Sequence, residues 1–375
     1  MNFEQGPIRP PSEAGSLLIR LTRNCPWNHC AFCTTYKNKK FSFRPVPEIK
    51  NDIDTVKKIA DELKALSLKT GCGGQVTGHV AGEAYRKYGF LYYHVGVWLA
   101  GGGRKVFLQD ADSLIMKTAE MAEVLAHLRS VFPAVDRITT YARSRTVIKK
   151  SAEELAGLAG LGLRRVHMGM ESGSDAVLDL IKKGARGEDH IQAARKLKEA
   201  GISVCQYVIL GMGGTTWAKE HPLETAGVIN ASDPDFVRFR SLAVKQGTPL
   251  AQMVSEGLFT PLAEDDVVRE ERLLIENLEG IRTRLVSDHI LNLLEEVEGR
   301  LPQEKEKMLQ SIDRYLDLPE REKLIFRLGR RGGVYRSLDD MREPDTRLRL
   351  ERALEMLSAE GQVEAAIDEL RQQFI

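Results

Sequence analysis

The sequence predicts an α/β fold, a partial (βα)6 TIM-type barrel followed by an all-helical C-terminal region. Six short apolar runs typical of strands alternate with amphipathic helical patterns through the first two thirds of the chain. Repeated βα units imply a parallel sheet with right-handed crossovers. Beyond about residue 256 only helical patterns follow. The six predicted strands are residues 16–22, 105–109, 137–141, 165–170, 202–210 and 236–242.

Helical segments separate these strands. Pro47 and Glu48 begin the first helix, because proline suits the first turn and an acidic side chain is stabilised at the positive end of the helix dipole. Its apolar residues recur at helical spacing from Ile49 to about Leu66. Further helices are expected over residues 83–100, 113–132, 151–160, 174–183, 188–200 and 219–231.

The C-terminal region is expected to form charged amphipathic helices, a basic flexible turn at 329–333 and a charged helical tail. An incomplete barrel leaves one side open, so we expect residues 263–328 to pack against the barrel and help enclose a substrate cavity. An oligomer interface is the alternative. The helices are expected over 263–285, 290–298, 303–316 and 320–328. We assign residues 14–255 to the barrel core, 256–343 to a helical domain and 344–375 to the tail.

Composition excludes several classes of protein. The net charge of the 375 residues is +1, so no global field favours nucleic acid or an anionic membrane. Residues 1–15 contain no apolar segment typical of a secretory signal. The longest apolar run, near 91–103, is shorter than the ~20 residues that a membrane span needs. We therefore expect a cytoplasmic protein with no membrane span and no clear nucleic-acid site.

Three of the five cysteines, Cys25, Cys30 and Cys33, fall in one loop after the first strand. In a reducing compartment, clustered thiols indicate a metal site or catalysis rather than disulfides. A structural zinc site needs four ligands, whereas an iron–sulfur cluster with three cysteine ligands keeps one iron open. Zinc remains the alternative, with His29 as the fourth ligand, although His29 would have to turn back toward a metal held by its neighbour Cys30.

Polar residues and glycines follow several of the predicted strands. Active sites of α/β proteins lie at the carboxyl ends of parallel strands, so these residues are site candidates. Asp112 has a second interpretation, since it or Ser113 is suited to capping the next helix. The candidates at the end of the second predicted strand are Asp110 and Asp112.

The cysteine loop has the spacing C-x4-C-x2-C, with Phe32 directly before the last cysteine. It resembles the cluster motif of the radical S-adenosylmethionine (radical SAM) superfamily, in which C-x3-C-x2-C is the commonest spacing. The resemblance covers about residues 14–250, and the core is similar to that of the elongator-type and coproporphyrinogen-oxidase-like branch. It implies that Cys25, Cys30 and Cys33 hold a [4Fe–4S] cluster whose open iron binds S-adenosylmethionine.

The resemblance also implies cofactor contacts at the strand ends. Asp110 and Asp112 stand where the family often has Gly-Gly-Glu, a segment that bonds the amino group of S-adenosylmethionine. Glu171, with Ser172 and Ser174, is similar to the segment that meets the ribose and carboxylate of that cofactor. Carboxylates can make these contacts through charge-assisted hydrogen bonds.

Two further contacts are implied at the adenine and the loop. Gly211 and Gly213 stand where the family places a glycine turn against adenine, which a flat ring can approach because glycine has no side chain. Phe32 is expected to contact the cofactor from the cysteine loop.

The implied function is that of a radical SAM oxidoreductase or transferase. One electron from a donor such as flavodoxin or ferredoxin would cleave S-adenosylmethionine, and the resulting radical would take a hydrogen atom from the substrate. Tyr141, Arg143, Arg145 and Arg240 are candidates to face the substrate, the arginines for a carboxylate or phosphate or, equally, for ion pairs at the rim. We expect a small-molecule substrate, since no RNA-binding appendage is recognisable. The alternatives are a radical SAM enzyme that modifies RNA and a non-catalytic zinc-binding α/β protein.

Overall fold

The computed structural model describes residues 1–373. The strands are β1 (Leu17–Arg20), β2 (Thr22–Arg23), β3 (Ser42–Phe43), β4 (Lys105–Gln109), β5 (Arg137–Tyr141), β6 (Leu163–Glu171), β7 (Ser203–Leu210), β8 (Phe236–Ser241), β9 (Arg284–Val286) and β10 (Gly299–Arg300). The helices are α1 (Val46–Lys69), α2 (Gly78–Tyr88), α3 (Phe90–Ala100), α4 (Thr118–Val131), α5 (Ser144–Val147), α6 (Ala152–Gly160), α7 (Asp175–Leu180), α8 (Gly187–Glu199), α9 (Glu220–Ser232), α10 (Pro249–Ser255), α11 (Glu264–Glu276), α12 (Lys305–Leu316), α13 (Glu320–Arg331), α14 (Pro344–Ala359) and α15 (Val363–Gln372). All six predicted strands are present. None of the described helices is long and apolar enough to cross a membrane.

The chain divides into two compact units. The first unit contains Met1–Asn28, Thr35–Gly169 and Gln192–Val204. The second unit contains His29–Thr34, Met170–Ile191 and the chain from Cys205 onward. The division falls inside the three-cysteine loop, so that Cys25 belongs to the first unit and Cys30 and Cys33 to the second.

The first unit is built on four parallel strands in the order β1, β4, β5 and β6. In this sheet Ile19 lies opposite Leu108, and both are fully buried. Helix α1 covers them with the residues that recur at helical spacing, including Ile49, Ile53 and Val56, all of them 0% exposed. Complete burial of each such side chain contributes about 1.5–3 kcal/mol, so the predicted periodicity is what fixes α1 on the sheet.

One helix predicted over 83–100 is two helices in the structure. Helix α2 ends at Tyr88 and α3 begins at Phe90. Gly89 between them has a φ of 86°. A helix cannot continue through this left-handed conformation, which glycine adopts without a steric penalty.

The second unit is built on strands β7, β8 and β9, which are parallel, with β10 antiparallel to β9. Val208 and Phe239 of the strands share one buried core with Leu274, Tyr315 and Phe326 of the C-terminal helices. The region after residue 256 is therefore mostly helical, as predicted, and part of the same core as β7 and β8. It also contains the two short strands β9 and β10, which sequence reasoning did not predict.

The helix predicted over 290–298 is wrong, because these residues form turns. Asn292 Nδ2 donates to the carbonyl of Phe239 at 3.0 Å and to Ser287 Oγ at 3.0 Å. Arg330 Nη2 and Arg331 Nη1 donate to the carbonyls of Asn292 at 3.0 Å and Leu291 at 3.1 Å. Backbone carbonyls that a helix would bond internally are thus bonded from outside the segment.

The basic flexible turn predicted at 329–333 is also wrong in part. Helix α13 continues to Arg331, and Arg330 and Arg331 are 2% and 3% exposed. Arg331 is also paired with Glu264 of α11. A guanidinium carries five donors, so these side chains can be buried when carbonyls and a carboxylate surround them.

Candidate active site

The three-cysteine loop lies directly after β2 and carries its cysteines as half-buried thiols. Asn24 and Asn28, which flank Cys25, have φ values of 68° and 50°. Asparagine tolerates this left-handed conformation better than other side chains do, and it allows the tight turns of the loop. Within the first unit Asn28 Nδ2 donates to the carbonyl of Tyr36 at 2.6 Å. This bond ties the part of the loop between Cys25 and Cys30 to the chain that follows Cys33.

Asp110, at the end of β4, anchors both flanks of this loop. Its Oδ2 accepts from the backbone N–H of Asn24 at 2.9 Å and pairs with Arg20 at 2.7 Å. Its Oδ1 accepts from the hydroxyl of Tyr36. Burial and the neighbouring Asp110 carboxylate raise the pKa of Tyr36, so its hydroxyl stays protonated as a donor. Asp110 is 0% exposed, and both oxygens are engaged by the protein.

Asp112 is fully buried and holds the start of α5. Its Oδ2 accepts from Thr146 Oγ1 at 2.6 Å and its Oδ1 from the backbone N–H of Arg143 at 3.2 Å. Burial raises the pKa of Asp112 to about 6, although these two hydrogen bonds act in the opposite direction. The guanidinium of Arg143 lies 4.8 Å from the ring centroid of Trp27, two residues after Cys25. The structure thus brings the candidate Arg143 to the first-unit part of the cysteine loop.

Tyr141, at the end of β5, belongs to an aromatic cluster. Its ring packs edge-to-face on Phe107 at 5.0 Å and on His167 at 5.8 Å. His167 is fully buried on β6, with Nε2 3.9 Å from a carboxylate oxygen of Glu13. Sequence reasoning missed Glu13 and His167, because neither residue stands in a recognisable motif.

In the second unit, Glu171 ends β6 in a left-handed conformation with a φ of 68°. A non-glycine residue rarely adopts it, and such strain concentrates at functional sites. Its Oε1 accepts from Lys183 Nζ at 2.7 Å. The next turn is tight: Ser172 Oγ accepts from the N–H of Ser174 at 3.0 Å, and a side chain at Gly173 would lie 2.5 Å from the Cα of Thr225. Sequence reasoning missed Lys183, which is twelve residues after its partner.

The glycine turn after β7 is held by a residue from the C-terminal region. Gly211 has a φ of 80°, and its N–H donates to Glu270 Oε1 at 2.6 Å. A side chain at Gly213 would lie 2.9 Å from Trp217. Phe32 packs in the small apolar cluster that contains Met212 and Trp217. The structure therefore brings Phe32 beside the glycine turn, a contact that the sequence did not predict.

Glu270 and Glu271 on α11 were not predicted as site residues. Both are 3% exposed, and burial raises the pKa of each to about 8. His221 Nδ1 lies 3.9 Å from Glu270, and burial lowers the pKa of His221 to about 4, which leaves its ring neutral. A signal was present in the sequence, because Glu271 occupies an apolar position of the α11 pattern together with Val268 and Ile275.

Arg240, near the end of β8, stacks 5.1 Å from the ring centroid of Tyr207. Its Nη1 is 3.6 Å from Asp288 Oδ1. Arg145 lies in the first unit, on α5. Three of the four candidates for substrate contacts, Tyr141, Arg143 and Arg145, thus lie in the first unit, and Arg240 lies in the second.

The residues present fit an iron–sulfur cluster by the chemistry of their donors. Three half-buried thiols stand in one loop, and thiolates are the ligands that hold such clusters. Among residues 1–373, no three His, Cys, Asp or Glu side chains converge as a site for one metal ion. A [4Fe–4S] cluster does not require that convergence, since each thiolate binds its own iron.

The sequence profile of the Radical SAM superfamily matches residues 19–226 of this chain. The chain therefore belongs to the radical SAM superfamily, whose members are enzymes that use a [4Fe–4S] cluster and S-adenosylmethionine. The predicted fold class, enzyme class and cofactors are confirmed by this membership.

Individual relatives are more distant. A tRNA uridine(34) acetyltransferase of Methanocaldococcus infernus is 30% identical over 119 residues, which are 32% of this chain and 22% of the relative. A tRNA-2-methylthio-N(6)-dimethylallyladenosine synthase of Hahella chejuensis is 24% identical over 254 residues, 67% of this chain and 48% of the relative. The solved structure of the archaeal Elp3 of Methanocaldococcus infernus is 21% identical with a TM-score of 0.40, and the match covers 49% of this chain and 48% of that one. The chain spans less than half the length of these curated relatives.

Proposed function

We propose that Cys25, Cys30 and Cys33 hold the [4Fe–4S] cluster of a radical SAM oxidoreductase or transferase whose substrate is a small molecule. The observation that carries this proposal is a three-thiol loop whose two flanks both bond to Asp110. When bound, the cluster and S-adenosylmethionine supply a carbon radical that removes a hydrogen atom from the substrate.

The residues around the loop hold it in place. Asp110 is buried, ionically paired with Arg20 and bonded to residues on both sides of the cysteines. A site held by such supporting contacts loses less conformational freedom when it binds its ligand. We assign Asp110 this positioning role, in place of the direct contact with the cofactor that its place in the sequence suggested.

Asp112 has a similar indirect role in the proposal. Its two oxygens accept from Thr146 and from the N–H of Arg143. It thereby fixes the backbone from which Arg143 reaches Trp27 in the cysteine loop. We propose that Arg143 faces the bound cofactor or substrate and that Asp112 positions it.

Glu171 is the proposed contact to the ribose. Lys183 donates to Oε1 of this carboxylate, and we propose that Oε2 accepts from a hydroxyl group of the ribose. A carboxylate that bonds sugar hydroxyls follows the same physical logic in dinucleotide sites. Ser172 and Ser174 line the adjoining turn. Gly211 and Gly213, beside Phe32, are proposed to face the adenine, because their backbone presents no side chain to a flat ring.

RNA is the second candidate substrate, because several curated relatives bear names of enzymes that modify tRNA. The net charge of +1 argues for the small molecule, since binding to nucleic acid depends on many contacts between cationic side chains and phosphates. A one-electron donor such as flavodoxin or ferredoxin would supply the electron, and the reducing cytoplasm would keep the thiols unoxidised.

The experiment measures 5′-deoxyadenosine released by the anaerobically reconstituted enzyme with a chemical reductant and S-adenosylmethionine. Three additions are compared: a small-molecule ultrafiltrate of a cell extract, total tRNA, and total tRNA digested with ribonuclease. The proposal predicts stimulation by the ultrafiltrate alone. Stimulation by intact but not by digested tRNA would favour the RNA reading. No 5′-deoxyadenosine from a fully loaded enzyme under any condition would contradict the proposed activity.

A further inference from the structure

Strand β8 carries two arginines on one face. Val237 and Phe239 point into the apolar core of the second unit, so Arg238 and Arg240 point to the opposite side of the strand. Strands of parallel sheets are usually apolar on both faces. The side chains of Arg238 and Arg240 are only 7% and 16% exposed. Two guanidinium groups so poorly hydrated need partners for their charge.

The partners within the second unit do not balance the two charges. Asp288, after β9, pairs with Arg238 and lies 3.6 Å from Arg240, so one carboxylate serves both groups. Nη1 of Arg240 has no hydrogen-bond acceptor in the described part of the chain. His289 adds no negative charge, and burial together with Arg240 lowers its pKa to about 4. Cationic Lys245 and Arg330 also act to lower that pKa, and Arg330 is itself 3.5 Å from the carboxylate of Glu295.

The geometry around Arg240 favours a planar anionic group. Its guanidinium stacks on Tyr207, which lies on the neighbouring strand, where Tyr207 is opposite Arg238 and Ile209 opposite Arg240. Stacking fixes the plane of the guanidinium and leaves its edge to bond two oxygens at once. The contact between Nη1 of Arg240 and Oδ1 of Asp288, at 3.6 Å, is too long to be a hydrogen bond.

From these contacts we infer that Arg240 binds an oxyanion of the substrate, a carboxylate or a phosphate. Tyr207 orients the guanidinium of Arg240, and Arg238 holds the carboxylate of Asp288 away from it. This inference rests on the proposed function, because it names the class of substrate of the same enzyme. A polar neutral substrate would leave Arg240 to share the single carboxylate of Asp288 with Arg238.

The test uses the reconstituted holoenzyme and two probes, inorganic phosphate and succinate, with chloride at the same ionic strength as the reference. Thermal melting reports binding of each probe. We expect phosphate or succinate to raise the melting temperature of the wild type above the chloride reference, and the effective probe identifies the oxyanion. Arg240→Gln should weaken the binding of that probe about 10- to 100-fold, as expected for the loss of a charged hydrogen bond.

Two further variants separate binding from folding. Asp288→Asn should tighten binding of the same probe, because it removes the competing carboxylate, whereas a purely structural ion pair would give a destabilised protein with no gain in affinity. Arg284→Gln, on the neighbouring strand β9 with a side chain 44% exposed, is the matched control and should bind the probe like the wild type.

Iron content and the affinity for S-adenosylmethionine are measured on the same samples. Both should be unchanged in Arg240→Gln, so a failure of the cluster proposal would be seen independently of the anion result. The inference is overturned if neither probe stabilises the wild type beyond chloride. It is also overturned if Arg240→Gln responds to the probe as the wild type does.

Discussion

Raising the pH from 6 to 8 should destabilise the second unit through two buried carboxyl groups on α11. Burial raises the pKa of Glu270 and of Glu271 to about 8. Glu296 raises the pKa of Glu271 further by like-charge repulsion, and the neutral ring of His221 offers Glu270 no counter-charge. In an unfolded chain both carboxyl groups have a pKa near the ordinary value of 4.5.

The direction in which pH changes the free energy of unfolding follows from proton binding. Between pH 4.5 and 8 the folded protein keeps these carboxyl groups protonated, whereas the unfolded chain has released both protons. The folded state binds more protons, so the free energy of unfolding falls as the pH rises, by up to about 1.4 kcal/mol per pH unit for each group. This stabilisation is fully present below the unfolded pKa and is lost through pH 8. From pH 6 to 8 one group therefore lowers the free energy of unfolding by about 2 kcal/mol.

Anaerobic urea unfolding at pH 6, 7 and 8 measures this effect. Glu270→Gln retains the acceptor for the Gly211 N–H and has no carboxyl proton to release. Glu271→Gln likewise has no carboxyl proton to release. Each variant should lose about 2 kcal/mol less than the wild type over this range. Glu276→Gln, on the same helix with a side chain 51% exposed, is the control and should follow the wild type. If the two buried-site variants lose stability with pH in parallel with the wild type, these carboxyl groups are not protonated in the fold and the reasoning is wrong.

Three further changes have defined outcomes. Glu171→Ala should weaken S-adenosylmethionine binding by about 1–3 kcal/mol in calorimetry with the cluster still assembled, and unchanged affinity would move the ribose contact to Ser174. Asp110→Asn loses the ion pair with Arg20 and should lower the iron content after reconstitution, while normal iron content would show that the loop does not depend on this carboxylate. Truncation after Gly257 removes most of the buried core that β7 and β8 share with the C-terminal helices. The truncated protein should therefore lack a cooperative thermal transition. A sharp transition would contradict the dependence of β7 and β8 on this shared core.

The parts of the fold that were predictable are those that local sequence determines. Strands β4 and β5 have the bounds expected of them, because each is a short run rich in β-branched and aromatic residues. The thiols at Cys25, Cys30 and Cys33 stand out because three of the five cysteines fall in one loop, a pattern that indicates a metal site. Phe32 was expected in the site from the family resemblance, whereas its packing beside Met212 was not expected.

What could not be predicted depends on residues far apart in the chain. Glu270 bonds Gly211 across 59 positions, and no local pattern pairs an acidic helix residue with a glycine turn. Residues 290–298 have helical spacing, yet Asn292 and the buried Arg330 bond the surrounding backbone and exclude a helix. The contacts of Asp110 were likewise not predictable. Its partners Asn24 and Tyr36 flank the cysteine loop and are far from Asp110 in the sequence.

The iron and sulfide content of the anaerobically reconstituted protein tests the central claim most directly. We expect about four irons and four sulfides per chain with the brown colour of a [4Fe–4S] cluster. Replacing Cys25, Cys30 or Cys33 by alanine should abolish this loading, while Cys72→Ala and Cys205→Ala should load like the wild type. Stoichiometric zinc in a colourless protein, or full iron loading after loss of one of the three loop cysteines, would contradict it.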